Sequence, residues 1–405
     1  MPDAGFGLRL SVFYVAIFFI VGCYMPFLPV WLRSRELTDG QISLIYAVPV
    51  LVRAIFTPAM TFAADRSGRP VAMLKWLAWG SLLSVALLPA MHVFAGIFSV
   101  VLVFTLFWMS VIPITDSLAL AGAGAGLAAY GRMRLWGSFS YIAMTSAGGA
   151  AVEIWGPPGA LWLFISAAVC VLAAVYWLPN ERQLARVTGE LETLPIQKLR
   201  PSEILQLIRV PDLWLFLAAT GATQSAHAVY YIFGTLHWTS AGIPPTVIGA
   251  LWGIGVVAEI VLFAYGARIS RRLGPVQLLA VAAAAAVIRW TITAYDPPLA
   301  ILFLTQTLHG LTFGAAHLGA MQFLNRAIPQ RLSASAQGLY ASVTMGIFMG
   351  LVSLGAGALY RNFGGSAYLA MAGLGSLGLM LSLILMRRWQ GGAIVSPKAT
   401  GTAAG

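Results

Sequence analysis

The chain has 405 residues, of which 59% are hydrophobic and only 9% are charged. A soluble domain has about 25% charged residues, so this composition excludes a protein whose surface faces only water. The formal charge of +11 does not indicate a nucleic-acid partner, because the basic residues lie in short segments between long apolar runs. The composition therefore predicts an integral membrane protein.

The apolar runs, taken in chain order, predict the spans. The first begins at Leu10, and no small-residue cleavage site follows it, so it is predicted to be a retained span and not a secretion signal. A bilayer-crossing helix needs about 17 to 25 mostly apolar residues, and twelve such windows are predicted. Their approximate bounds are 10–32, 41–63, 72–90, 95–119, 133–154, 158–178, 211–236, 245–267, 276–295, 298–324, 336–360 and 365–386. The predicted fold is an all-α integral membrane protein with twelve transmembrane helices in two pseudo-symmetric six-helix bundles.

A long polar segment follows the sixth span and divides the chain. The predicted units are an N-terminal six-helix bundle (1–179), a cytoplasmic central linker (180–209), a C-terminal six-helix bundle (210–389) and a tail expected to be disordered (390–405). Apart from Arg33, Arg35, Arg361 and three arginines within spans, every Lys and Arg lies on the side of both termini and the linker. The positive-inside rule therefore predicts that both termini are cytoplasmic.

Two loops suggest an internal repeat. The loop after the second span reads ADRSGRP and the loop after the eighth reads SRRLGP, and laying Gly68 on Gly274 also aligns the fourth span with the tenth and the fifth with the eleventh. Arg-Gly pairs are common in short cytoplasmic turns, so the loops alone could match by accident. The spans, linker and loops together resemble the major facilitator superfamily, whose members alternate between two openings. Asp65, Arg66, Gly68 and Arg69 are then predicted to form a cytoplasmic latch.

Five ionisable residues lie within apolar runs: Arg53, Asp116, Arg134, Glu259 and Arg289. An ionised residue at the bilayer centre costs about 2.5 to 3.5 kcal/mol on insertion scales, so such residues are expected to face a cavity and to have partners. Three positive and two negative charges leave a positive charge over. This surplus predicts that the bound species is an anion, such as an organic carboxylate.

Each of these charges has an expected role. Glu259, near the middle of the eighth span, is predicted to load and release a proton, with Arg289 as its partner. Asp116 and Arg134 are predicted to meet near the cytoplasmic side. The alternative role for Asp116 and Arg134 is a structural ion pair that joins two helix ends. The alternative for Glu259 is a neutral carboxylic acid hydrogen-bonded in the core. Arg53 has no obvious acidic partner and is the leading anion ligand, because a guanidinium can bind a carboxylate through two parallel hydrogen bonds.

Polar side chains recur at helical spacing on three later spans. Gln224, His227, Tyr230 and Tyr231 mark one face of the seventh span. The tenth span adds Gln306, His309 and His317, and the eleventh adds Gln337, Tyr340 and Thr344. These residues either line the cavity or join helices. No metal site and no cofactor are expected, because His309 and His317 are eight residues, about 12 Å, apart along a helix.

Several longer stretches resemble the phenylpropionate permeases, a branch of the major facilitator superfamily near the oligosaccharide:proton symporters. They are PFLPVWL (26–32), PITDSLAL (113–120), YGRMRLWGS (130–138), SAHAVYYIF (225–233), LWGIGVVAEIVLF (251–263), VIRW (287–290) and LHGLTFGAAHLGAMQ (308–322). The placement of charges also resembles lactose permease, except that Ala320 stands where that family has a second carboxylate. The resemblance implies proton-coupled uptake of an aromatic acid such as 3-phenylpropionate.

The expected protein is a monomeric symporter of the bacterial inner membrane, surrounded by lipid, whose substrates are a small organic anion and a proton. Arg53, Arg289 and, on the cytoplasmic side, Arg134 would bind or gate the anion. Gln224, His227, Tyr230, Tyr231, Trp252 and His309 would complete the substrate site. Glu259, Asp116 and His317 would couple the proton.

Three other functions are weighed against this one. A sugar or nucleoside symporter would read neutral hydroxyls through Asp116, Arg134 and Trp136. An enzyme is not expected, because the sequence has no Walker loop, HExxH or GxSxG motif. A membrane sensor would bind its ligand without accumulating it.

Overall fold

A computed structural model of the chain describes residues 4–180 and 207–394. The first half contains helices α1 (Ala4–Ser34), α2 (Asp39–Ser67), α3 (Pro70–Leu87), α4 (Phe94–Trp108), α5 (Val111–Gly124), α6 (Tyr130–Trp155) and α7 (Pro157–Trp177), with a 3₁₀ turn at Leu88–Ala90. Most of the predicted linker (181–206) and the end of the predicted tail (395–405) lie outside the described residues. Within the described residues there is no β-strand.

The second half is also helical. It contains α8 (Pro211–Ser225), α9 (Ala228–Ser240), α10 (Pro245–Ala264), α11 (Gly266–Arg272), α12 (Pro275–Thr293), α13 (Leu299–Thr307), α14 (Ala316–Ala327), α15 (Ser333–Tyr340), α16 (Met349–Phe363) and α17 (Ala367–Arg388). Two π-helical segments, Gly310–Ala315 and Ala341–Phe348, join α13 to α14 and α15 to α16. Short 3₁₀ turns cover Gln330–Leu332 and Gly364–Ser366.

Nine segments of the described chain are long and apolar enough to cross a membrane. Ser335–Arg388 counts as one of them although it covers two predicted spans, while α8 and α9 are each shorter than a span because the helix breaks at Ala226 and His227. The helix α6, rich in glycine and serine, is not among the nine. The all-helical membrane fold is thus confirmed, and the number of twelve spans stays a prediction.

Several predicted spans, among them the fourth, the seventh and the tenth, are interrupted where backbone hydrogen bonding changes. The fourth breaks between α4 and α5, four residues before Pro113, which has no N–H to donate to the Met109 carbonyl. In the seventh, the Gln224 carbonyl accepts from both the backbone and the side chain of His227, which tightens that turn. The tenth contains the π-helical segment that carries Thr312. Such interruptions are frequent at functional sites.

We call the end of the bundle at which residues 180 and 207 lie the linker end, and the opposite end the far end. The two halves pack closely toward the far end. A Cβ added to Gly249 of α10 would lie 2.2 Å from the Thr145 carbonyl oxygen of α6, and one added to Gly357 of α16 would lie 2.6 Å from the Asp39 carbonyl oxygen. Ser43 of α2 also donates to the Ser353 carbonyl and accepts from the Gly357 N–H.

Toward the linker end, the same helix faces become exposed. On α6 the face that carries Ile142 and Ser146, which approach the α10 glycines, continues at helical spacing to Phe139, and Phe139 is 49% exposed. On α10 the face continues to Val257 and Phe263, both 40% exposed. Phe62, on the corresponding part of α2, is 57% exposed. The halves therefore enclose a cleft that is closed at the far end and opens toward the linker end.

The two loops of the proposed repeat differ in backbone conformation. Gly68 has a φ of +60°, a left-handed conformation that favours glycine, whereas Gly274 has a φ of −70°. Each loop leads into a helix whose first residue is proline, Pro70 or Pro275, which needs no N–H there. Arg66 and Arg69 are exposed, and the side chain of Asp65 lies outside the described part of the chain.

Candidate functional site

Arg289 of α12 is the centre of a buried polar cluster and has no exposed surface. Its Nη1 donates to Nδ1 of His309 and to Oγ1 of Thr312, both at 3.1 Å, and its Nη2 donates to Oε1 of Gln306 at 2.7 Å. Its guanidinium carbon also lies 4.8 Å from the ring centre of Tyr230. A charge at this depth is tolerated because so many acceptors and an aromatic face surround it.

The cluster extends through Thr312 to the seventh predicted span. Oγ1 of Thr312 lies 3.0 Å from Nε2 of His227, and Nδ1 of His227 lies 3.0 Å from the Gln224 carbonyl oxygen. The imidazoles of His227 and His309 are 5.7 Å apart. The structure therefore brings Gln224, His227, Arg289 and His309 together, although their helices are separated in sequence.

Glu259 of α10 faces His309 and not Arg289. Its Oε2 lies 3.9 Å from Nε2 of His309, and the two side chains are 22% and 12% exposed. No ion pair joins Glu259 to Arg289 within the described residues, so the predicted pair is wrong in its partner. His309 lies between them, because it is on the segment that packs against both α10 and α12.

Aromatic side chains form one wall of the cluster. The rings of Tyr230 and Trp252 stack with centroids 4.4 Å apart, and Tyr231 stacks on Trp252 at 6.3 Å. Nε1 of Trp252 donates to Oγ1 of Thr235 at 2.9 Å. Tyr230 and Trp252 are buried, while Tyr231 is partly exposed.

Arg53 lies at the contact between the two halves. Its Nη1 lies 3.3 Å from Sδ of Met109, and its Nη2 donates to the Met345 carbonyl oxygen of the second half at 3.1 Å. No carboxylate pairs with it within the described residues. A thioether and one carbonyl leave most of its positive charge without a counterion.

Asp116 and Arg134 do not form the predicted ion pair in the described structure. Oδ1 of Asp116 accepts from the hydroxyl groups of Tyr14 at 2.5 Å and Tyr130 at 3.3 Å. The guanidinium of Arg134 lies over the ring of Phe18, 4.0 Å from its centre. The pairing failed because two tyrosine hydroxyls from α1 and α6 satisfy the carboxylate. The charge of Arg134 instead interacts electrostatically with Glu259 and His317.

His317 lies apart from the hydrogen-bonded cluster. Its ring is parallel to that of Phe313 at 6.4 Å and makes an edge contact with Phe263 at 6.4 Å. No hydrogen bond joins it to Glu259 in the described part of the chain. Its part in proton coupling therefore stays a prediction that no contact supports.

Sequence reasoning missed four residues of these clusters: Thr312, Met345, Tyr14 and Tyr130. Thr312 was recognisable, because it lies three residues after His309 and five before His317 on the same span. Met345 contributes only its backbone carbonyl, which carries no signature in the sequence. Tyr14 and Tyr130 are ordinary residues for the ends of membrane helices, so nothing marked them as ligands of Asp116.

Two helical halves packed around a cleft, with charged residues buried at lipid depth, define a secondary transporter. Comparison with known proteins agrees with this class. Residues 7–370 match the MFS_1 like family. The chain therefore belongs to this family of the major facilitator superfamily, is a multi-pass membrane protein and is not an enzyme.

Individual relatives differ in the substrates that their names give. The chain is 30% identical to the probable 3-phenylpropionic acid transporter of Escherichia coli (strain K12), over 90% of this chain and 93% of that one. It is 27% identical to the maltose permease of Geobacillus stearothermophilus, over 93% and 94%. A crystal structure of the nucleoside transporter NupG superposes with a TM-score of 0.80 at 15% identity and covers 95% of this chain and 99% of its own. That structural likeness supports the fold alone.

Proposed function

We propose that the protein imports a small organic anion, an aromatic acid of the 3-phenylpropionate kind, together with a proton, and that it alternates between openings at its two ends. The observation that carries this proposal is the charge balance within the spans. The spans carry three arginines, Arg53, Arg134 and Arg289, and two carboxylates, Asp116 and Glu259. In the described structure none of the three arginines forms an ion pair. An anion would supply the missing counterion.

The remaining chemistry suits a ring with an acid group. Among the described residues, Nε of Arg289 and Nε2 of Gln306 are buried donors without an acceptor. A carboxylate provides acceptors for such groups. The stacked rings of Tyr230, Tyr231 and Trp252 suit an aromatic body. The name of the Escherichia coli relative supports the same substrate class. We place the protein, as a monomer, in a bacterial inner membrane with both termini cytoplasmic, so that the cleft opens inward.

The test is uptake into liposomes that contain the purified protein, with a pH gradient that is acidic outside. We expect labelled 3-phenylpropionate to accumulate and an uncoupler to abolish the accumulation. Protein-free liposomes under the same gradient are the control, because the free acid crosses a bilayer by itself, and they should accumulate much less; the uncharged 3-phenylpropanamide should accumulate in neither. If the acid binds but never accumulates in sealed vesicles, the protein is a sensor and the proposal fails.

A sugar or nucleoside symporter is the second candidate. The maltose permease relative favours it, since that protein matches nearly the whole chain. Labelled maltose and uridine belong in the same uptake assay. If either one accumulates and 3-phenylpropionate does not, the substrate class is a sugar or a nucleoside and not an aromatic acid.

A further inference from the structure

The hydrogen-bond partners of the buried cluster fix where its protons lie. The Gln224 carbonyl oxygen only accepts, so the Nδ1 of His227 that faces it at 3.0 Å carries a hydrogen. Nε2 of the neutral His227 ring is then an acceptor, and it receives the hydroxyl hydrogen of Thr312. These hydrogen-bond directions are assigned from the partners, because a group that can only accept requires its neighbour to donate, and the reverse.

Arg289 sets the opposite tautomer in His309. A guanidinium only donates, so both Oγ1 of Thr312 and Nδ1 of His309 accept from Nη1 of Arg289. His309 is therefore neutral, with its hydrogen on Nε2, and that hydrogen faces Oε2 of Glu259 at a nitrogen–oxygen distance of 3.9 Å. The two histidines of the cluster thus have different tasks.

His309 cannot gain a proton while this arrangement holds. The nitrogen that would accept the proton, Nδ1, is occupied by the Nη1 hydrogen of Arg289. The charged and titratable groups that face His309 are Glu259 from α10, Arg289 from α12 and His227 at the start of α9. Arg134 of α6 acts on the site at longer range, through its electrostatic interaction with Glu259. An imidazolium beside Arg289 would place two positive charges in contact.

We infer that His309 takes up the coupling proton only after an anion has drawn Arg289 away from its Nδ1. This inference rests on the proposed function, since it requires an anionic substrate. The proton comes from the water of the cleft and bonds to Nδ1, and the Nε2 hydrogen, which already faces Glu259, then belongs to an imidazolium that pairs with the carboxylate. The loaded site then holds two neutralised pairs, anion with Arg289 and imidazolium with Glu259.

This linkage is reciprocal, as any coupling between two binding events must be. An anion at Arg289 favours the proton on His309, and the proton on His309 keeps Arg289 free for the anion. His227 takes no proton in this cycle, because the Gln224 carbonyl and the Thr312 hydroxyl occupy both of its ring nitrogens. It is a positioning residue that holds Thr312 against Arg289.

The first experiment measures proton uptake by the purified protein in weakly buffered detergent solution near neutral pH, with a pH-indicator dye, as 3-phenylpropionate is added. The wild type should take up protons in proportion to bound anion, and 3-phenylpropanamide should cause no uptake. His309→Gln keeps an acceptor for Arg289 but cannot be protonated, so uptake per bound anion should fall at least about fivefold. His92→Gln, at an exposed histidine that lies beside Arg35 and outside the cluster, is the matched variant, and its uptake per bound anion should equal that of the wild type.

A second measurement observes the proton in the wild type directly. Nitrogen NMR of the ¹⁵N-histidine-labelled wild type in liposomes should show a neutral Nε2–H ring that becomes an imidazolium when 3-phenylpropionate binds. His309→Gln, checked by exchange of labelled for unlabelled substrate, would identify that signal by its loss. Undiminished proton uptake in His309→Gln, or no new imidazolium in the wild type, would overturn the inference and leave the aromatic-acid function standing. A wild type that binds no 3-phenylpropionate would instead remove the proposed function, and this inference with it.

Discussion

Arg53 and Arg289 both lack a carboxylate partner within the described residues, yet they are held in different ways. Nη1 and Nη2 of Arg289 donate hydrogen bonds to three polar side chains. Arg53 has one backbone carbonyl and a methionine sulfur. A thioether is a weak acceptor, so Arg53 loses less hydrogen-bond energy than Arg289 does when a ligand replaces its present acceptors. On this difference we propose Arg53 as the first contact for an anion that enters the cleft.

Replacing Arg53 with Gln should weaken binding of 3-phenylpropionate by about 10- to 150-fold, because hydrogen bonds to a charged group contribute about 1.5 to 3 kcal/mol. Binding of the uncharged 3-phenylpropanamide should change much less. Isothermal titration of both compounds into the purified variant measures the difference. Equal losses for acid and amide would remove Arg53 as the anion ligand.

Replacing Glu259 with Gln should abolish accumulation driven by a pH gradient and leave exchange of labelled for unlabelled substrate partly intact. Glutamine has the same shape but neither gains nor loses a proton, and it offers no charge to an imidazolium at His309. Liposome uptake and exchange, measured on the same preparation, check both halves of the prediction. Full-rate accumulation in the variant would show that the coupling site lies elsewhere.

At the scale of elements, glycines set how closely the halves approach. Gly249 of α10 meets the backbone of α6, so even one added carbon would force the two helices apart at the far end. Gly253, one turn further along α10, has room, because its added Cβ would lie 3.4 Å from Ile142 and 3.5 Å from Thr145. The two positions form a matched pair on one helix.

Gly249→Ala should shift the protein away from the form that is closed at the far end, while Gly253→Ala should not. Overpacking costs about 1 to 3 kcal/mol, which corresponds to a shift of about 5- to 150-fold between the two forms. The readout is alkylation of a cysteine placed at the exposed Phe139, in a chain whose Cys23 and Cys170 are replaced by Ser. Labelling should slow in Gly249→Ala alone, and equal rates in both variants would contradict the prediction.

The whole molecule shows how far sequence reasoning reaches. The apolar runs predicted the membrane fold, because burial in lipid selects composition over about twenty consecutive residues. They did not predict the breaks at His227 and Thr312, since these depend on which side chain competes for a backbone group. The prediction that Arg289, on the neighbouring span, is the partner of Glu259 was wrong, because His309 lies between them. The order of helices along the chain does not say whether Arg289 of α12 or His309, which follows α13, lies nearer to Glu259.

Arg53 belongs to one half of the protein, and the carbonyl that it holds, at Met345, belongs to the other. An N–H group that donates to a bound anion can no longer donate to the Met345 carbonyl, so it no longer joins the two halves. We propose that an anion bound at Arg53 releases this contact, so that substrate binding and the movement of the two halves start with one exchange of hydrogen-bond acceptors.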